Sequence, residues 1–137
     1  MSRDQIMIYV FIALTACIFF YFRSTQENSR LEAAVKPIKE SIAASHRPRV
    51  ITFTAKWCGA CQQFKPILNK VMANYVQSID CQIIDVDNKA YAKMTRDFGV
   101  SSIPATFIFD RSGNLIHKQV GLIEPEDLDE YLRKTVI

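Results

Sequence analysis

The chain has 137 residues, 49% of them hydrophobic, 11% aromatic and 23% charged, with a formal net charge of +3. That length fits one domain with a single core, and the aromatic content excludes a collagen-like, mucin-like or disordered chain. The charge is uneven: residues 23–49 hold six basic and three acidic side chains and residues 50–137 ten of each, so the C-terminal part lacks the clustered Lys and Arg of a nucleic-acid interface.

Residues 6–22, IMIYVFIALTACIFFYF, carry no charge and lie between Gln5 and Arg23. As a helix they would reach about 26 Å, at the short end of what spans a bilayer. Interfacial Tyr21 and snorkelling Arg3 and Arg23 would close the gap. A buried core helix would have to be apolar all round at the start of a small protein. A cleaved signal would need a shorter apolar run and a small-residue cleavage site, and RSTQENSR after Phe22 offers none. Leu14-Thr15-Ala16-Cys17 resembles a bacterial lipobox, in which the Cys is lipidated and the preceding stretch removed, although the apolar run continues past Cys17; both readings leave the rest tethered to a membrane, and the expected uncleaved anchor contacts lipid through residues 6–22. The expected organisation is an anchor over 1–23, a juxtamembrane linker over 24–48 and a folded domain over 49–137.

In the linker, Leu31, Val35, Ile38 and Ile42 form a helical stripe that Pro37 interrupts. This predicts a short or bent helix packed by one face on the domain, ended by His46-Arg47-Pro48. Beyond it, strands are expected over 49–55 and 82–86, and a strand pair over 105–109 and 115–120 joined by DRSGN. Helices are expected over 62–76, over 89–98 ended by Gly99, and over 124–135. The order β-α-β-α-β-β-α predicts an α/β fold, a mixed central sheet flanked by helices.

In such sheets the reactive site lies beyond the carboxyl end of a strand, where the chain turns into a helix. Trp57-Cys58-Gly59-Ala60-Cys61 occupies that place. A cysteine starting a helix meets unpaired backbone N–H groups and the positive end of the dipole, which favour its thiolate. Cys58 is therefore expected as the exposed nucleophile that attacks a disulfide and Cys61, nearly one turn on, as the residue that resolves the mixed disulfide. Trp57 would wall the pair and Lys56 would add positive charge. Half a zinc site has the same CxxC spacing, but Cys17, Cys81, His46 and His117 supply no second close pair, so neither a metal nor a cofactor is expected. An inert disulfide across so short a loop is an alternative that leaves its placement unexplained. Cys81 is expected as a buried small hydrophobe.

The core resembles thioredoxin over about ninety residues. The likeness rests on the apolar strand 50–55, WCGAC, Pro66, Asp85-Val86-Asp87, Phe98-Gly99-Val100, Ile103-Pro104, the strand pair and Val120-Gly121. The resemblance implies a thioredoxin fold preceded by one transmembrane helix, and a redox-active Cys58–Cys61 disulfide. It also implies a cis-Pro104 facing the cysteines, and a shallow substrate rim of Trp57, Gly59, Ala60, Ile103 and Gly121. With an anchor, the chain is similar to membrane-tethered thioredoxin-like proteins of bacteria and chloroplasts, which supply reducing equivalents across the membrane, for example in cytochrome c maturation. Its partners would be disulfide-containing proteins and an upstream thiol electron donor, with a membrane protein a candidate.

Two positions depart from the family pattern. Thr52 stands where thioredoxin has a buried Asp, and Ile83 where it has the companion Lys, so the proton of Cys61 lacks its usual acceptor. Gly-Ala between the cysteines lacks the His of oxidising relatives, which tilts the expectation towards a protein-disulfide reductase. The alternative is a non-catalytic module that holds partners in the Ile103-Pro104 groove. Arg23, Arg30, Lys36 and Lys39 after the apolar run favour a cytoplasmic domain by the positive-inside tendency. The resemblance favours the extracytoplasmic side, periplasmic or lumenal, and that side is the expectation taken forward.

Overall fold

The computed structural model describes residues 3–137, so residues 1 and 2 of the expected anchor lie outside it. The apolar run and the stripe after it belong to one helix, α1 (Arg3–Ser45), of 43 residues and about 65 Å. Within it an 18-residue window of mean hydropathy 2.1 has no buried residue, so this helix is long and apolar enough to cross a membrane.

Pro37, expected to kink the helix or end its first half, does not end it. Its ring lies on the exposed side, while Ala34, Ile38 and Ile42 are buried on the opposite face. A proline inside a helix costs about 3 kcal/mol. Burying two isoleucines contributes roughly 1.5–3 kcal/mol each and offsets that cost. The break comes at His46, which adopts the left-handed conformation (φ 53°) while its N–H still donates to the Ile42 carbonyl at 2.7 Å.

The rest follows the expected order: β1 (Arg49–Thr54), α2 (Gly59–Met72), β2 (Asp80–Asp85), a 3-10 turn (Lys89–Tyr91), α3 (Ala92–Asp97), β3 (Ala105–Phe109), β4 (Leu115–Val120) and α4 (Pro125–Val136). The strands form one sheet in the order β2-β1-β3-β4. β1 runs parallel to β2 and antiparallel to β3, and β3 and β4 are the expected antiparallel pair.

Strand alternation sends the two sets of apolar side chains to opposite faces. Ile51, Phe53, Ile84, Phe107 and Phe109 pack with Phe98 and the buried stripe of α1 on one face. Phe98 stands edge-on to Phe107, with ring centroids 4.8 Å apart. Val50 and Ile108 pack with Phe64 and Leu68 of α2 and Leu128 and Leu132 of α4 on the other. Helices therefore cover both faces of the sheet.

Element ends differ from expectation for local reasons. α2 starts at Gly59, before the first apolar residue of its stripe, because the cap at Cys58 sets the start. It stops at Met72, where bonds from Asn74 to Val71 and from Tyr75 to Met72 tighten the chain into turns. The segment expected as one helix over 89–98 splits into the 3-10 turn and the short α3, closed by Gly99 at φ +61°. In the β3–β4 turn Gly113 has φ +77°, and a Cβ there would lie 2.7 Å from the Lys39 side chain and 2.8 Å from its Cα. Only glycine permits both that backbone and that approach of α1.

The α1 stripe is thus part of the domain core, and Ile42 at 0% exposure is its deepest residue. Ile42→Ala should lower the unfolding free energy by about 2–5 kcal/mol in a urea titration. A change within 0.5 kcal/mol would mean that α1 does not pack on the sheet.

Candidate redox-active site

β1 ends at Thr54, and Ala55 to Trp57 turn the chain into α2. Cys58 is the N-cap of α2, with extended backbone (φ −83°, ψ 108°), and its Sγ accepts a hydrogen bond from the Cys61 N–H at 3.1 Å. Sulfur here takes the place of the hydroxyl or carboxylate oxygen that usually satisfies the free N–H groups of a first helical turn. Cys58 and Cys61 are joined by a disulfide, their Cα atoms 5.2 Å apart. The arrangement is the oxidised form of a dithiol at a helix start.

The surroundings correct one expectation. Cys58 is not an exposed side chain: its exposure is 7% and that of Cys61 3%. Both pack against Ala55, with Val86 and Ile103 closing the cluster. The exposed neighbour is Trp57, at 70%. Its indole N–H donates to an Asp87 carboxylate oxygen at 2.8 Å, which holds the ring at the rim. The turn is braced by Gln62, whose side-chain amide donates to the Lys56 carbonyl at 2.8 Å. Asp87 and Gln62 are absent from the sequence-derived site, because nothing in their spacing marks them; Asp87 enters only through the Asp85-Val86-Asp87 run that supports the family likeness.

The Ile103–Pro104 peptide bond is cis, as the resemblance implies. The Ile103 carbonyl oxygen lies 3.7 Å from Cys58 Sγ. The Gly121 N–H donates to the Pro104 carbonyl at 2.7 Å. With φ +97°, Gly121 takes a backbone conformation other residues rarely adopt. Gly59 and Ala60 are exposed in the first turn of α2. The structure therefore gathers Trp57, Cys58, Cys61, Ile103, Pro104 and Gly121 at one end of the sheet. A groove of about 400 Å³ runs beside Cys58 between Trp57, Val86, Val100 and Ile103. A second cavity, of about 380 Å³, reaches Cys61 and is lined by Lys56, Gln62, Lys65, Ile83 and Asp85.

Thr52 is fully buried and paired across the sheet with Thr106, their hydroxyl oxygens 3.2 Å apart. Each hydroxyl answers the other, so this layer of the sheet carries no charge. Ile83 is 42% exposed, on the wall of the Cys61 cavity. Cys81 is exposed on the edge strand β2 rather than buried as expected, because β2 has no neighbour beyond it. Desolvation by the chain around its sulfur still pushes its pKa up to about 11, so it stays protonated at neutral pH.

The family model for thioredoxin matches residues 30–134. A relative described as a thiol:disulfide interchange protein TxlA homolog, from Synechocystis, is 30% identical over 121 residues, which is 87% of this chain and 67% of the relative. The chloroplastic thioredoxin-like protein HCF164 of Arabidopsis thaliana is 30% identical over 100 residues, covering 73% of this chain but 38% of that protein. Among solved structures, thioredoxin-2, a component of the malaria parasite protein secretion machinery, superposes with a TM-score of 0.58 over 64% of this chain and 82% of its own. At 24% identity that likeness is one of fold.

Removing one hydroxyl of the threonine pair strands the other. Thr52→Val should cost about 1–3 kcal/mol in stability, whereas Thr52→Val with Thr106→Val should recover most of it. Additive losses in a double-mutant cycle would show that the two hydroxyls do not depend on each other. At pH 7.5 the reduced protein should alkylate at Cys58 well before Cys81, a rank order readable by peptide mass spectrometry after brief iodoacetamide exposure.

Proposed function

The chain belongs to the thioredoxin family, and from that premise we propose that this thiol-disulfide oxidoreductase works as a membrane-tethered reductase of protein disulfides. The observation that carries the reading is the Cys61 N–H aimed at Cys58 Sγ at the start of α2. In the reduced protein the same donor, with the helix dipole, stabilises negative charge on that sulfur.

The reaction begins from the dithiol. The Cys58 thiolate attacks one sulfur of a substrate disulfide, forming a mixed disulfide and expelling the other substrate sulfur as a thiolate. Cys61 then loses its proton and attacks Cys58 Sγ. The Cys58–Cys61 bond forms, the mixed disulfide breaks and the second substrate sulfur leaves. Two electrons pass from the dithiol to the substrate, and the released thiolates take up protons from solvent. With Thr52 in a neutral pair, water in the cavity beside Cys61 is the acceptor for that residue's proton. A thiol donor returns the disulfide to the dithiol.

The groove beside Cys58 suits an extended substrate segment. Trp57 and Ile103 line it, Gly59, Ala60, Pro104 and Gly121 complete the proposed substrate rim around the cysteines, and the Ile103 backbone beside the sulfur offers pairing to a peptide strand. The absence of a His between the cysteines supports the reducing direction. Residues 1–23 are the anchor and 24–48 the juxtamembrane part; the uncharged run 6–22 and the exposed apolar face of α1 support this. The extracytoplasmic side and the delivery of thiols for cytochrome c maturation rest on likeness to tethered family members.

Insulin-disulfide reduction by the full chain tests the activity. Cys58→Ser should abolish turnover, lowering it at least about a hundredfold. Cys61→Ser should accumulate a mixed disulfide with substrate that dithiothreitol reverses. A parent protein with no reductase activity, but with partner binding indifferent to Cys58→Ser, would leave a binding module in place of an enzyme.

A further inference from the structure

Where the apolar part of α1 gives way to its polar part, the helix and the domain enclose an open cavity of about 650 Å³. Its walls include Phe19, Phe22, Arg23 and Arg30 from α1, Arg96 from α3 and Lys118 from β4. None of these four cations forms an ion pair among the described residues. The Lys118 ammonium rests 5.3 Å from the centroid of the Phe107 ring. Two carboxylates share the walls, Glu27 and Asp97, and Asp97 is already bound to Lys93. The lining therefore carries more cations than carboxylates, together with aromatic rings, around a volume typical of small-ligand sites.

Arg23 is the first charge after residues 6–22, so with those residues in a bilayer the cations stand at headgroup depth and the two phenylalanines at the acyl boundary. The guanidinium forks of Arg23, Arg30 and Arg96 match the oxygens of a phosphate diester. We propose that this cavity holds the phosphate of an anionic phospholipid and so seats the domain on the membrane surface beside its own helix. The inference rests on the membrane-spanning reading of α1. It adds a lipid site formed jointly by anchor and domain, to which Arg96 and Lys118 of the domain bring two of the four cations.

The test uses the full chain in detergent, mixed with phosphatidylglycerol or phosphatidylcholine of the same acyl chains and examined by native mass spectrometry. The parent should retain one phosphatidylglycerol in clear preference to phosphatidylcholine. Arg96→Ala with Lys118→Ala should lower that retention about thirty-fold, the effect of two basic residues at a membrane surface. Lys70→Ala with Lys89→Ala, remote from the cavity, should leave it unchanged. Equal retention of the two lipids, equal loss in both double variants, or displacement of the lipid by millimolar inorganic phosphate would each overturn the proposal. Alkaline carbonate extraction from vesicles separates the two failures. A chain that stays in the vesicles without headgroup preference loses the lipid site alone, and a chain that carbonate strips off loses the spanning reading with it.

Discussion

One hydrogen bond organises the chemistry of this protein: the Cys61 N–H meeting Cys58 Sγ across the first turn of α2. A helix start leaves N–H groups without intrahelical partners, and a sulfur placed as the N-cap answers one of them. The cap sets where α2 begins, orients Cys61 inward and brings its sulfur into bonding range of Cys58. Folding and redox chemistry thus depend on the same contact. The helix needs an acceptor at position 58, and a thiolate there, as the proposed mechanism requires, needs a donor that favours its charged form.

The supports of that cap come from every side of the domain. Ala55 at the end of β1, Val86 after β2 and Ile103 before β3 close over the sulfurs. Gln62 and Asp87 hold the turn and the exposed Trp57 from outside. Beneath them the Thr52–Thr106 pair keeps the sheet interior hydrogen-bonded and uncharged. A carboxylate there would have to be buried at the cost of desolvation. Without it, the polar groups nearest Cys61 are those of the cavity that Lys56, Lys65 and Asp85 line.

Much of this was legible in the residues alone, for reasons that differ from element to element. β3 and β4 are read to the residue, the turn DRSGN marking where one ends and the other begins. Apolar periodicity alone puts the start of α2 three residues late, because it begins only at Phe64, whereas the place of Cys58 at the strand-to-helix turn marks the cap itself. Pro37 speaks for a break in α1, and only the packing of Ala34, Ile38 and Ile42 on the sheet outweighs it. The cysteines, Pro104 and Gly121 are identifiable from their motifs. The burial of the sulfurs and the roles of Asp87 and Gln62 depend on neighbours far away in sequence, which local pattern does not record.

The continuity of α1 has a geometric result. Lys39 touches the β3–β4 turn at Gly113, and Glu27, about 18 Å nearer the N-terminus along the helix, approaches Gly99. From Gly99 the chain passes directly through Val100 to Ile103, along the groove beside Cys58. The dithiol therefore lies at the end of the domain that looks back towards the apolar stretch. A flexible joint would leave the domain free to turn about the apolar stretch, but a helix shared by that stretch and the core fixes where the two sulfurs stand relative to it.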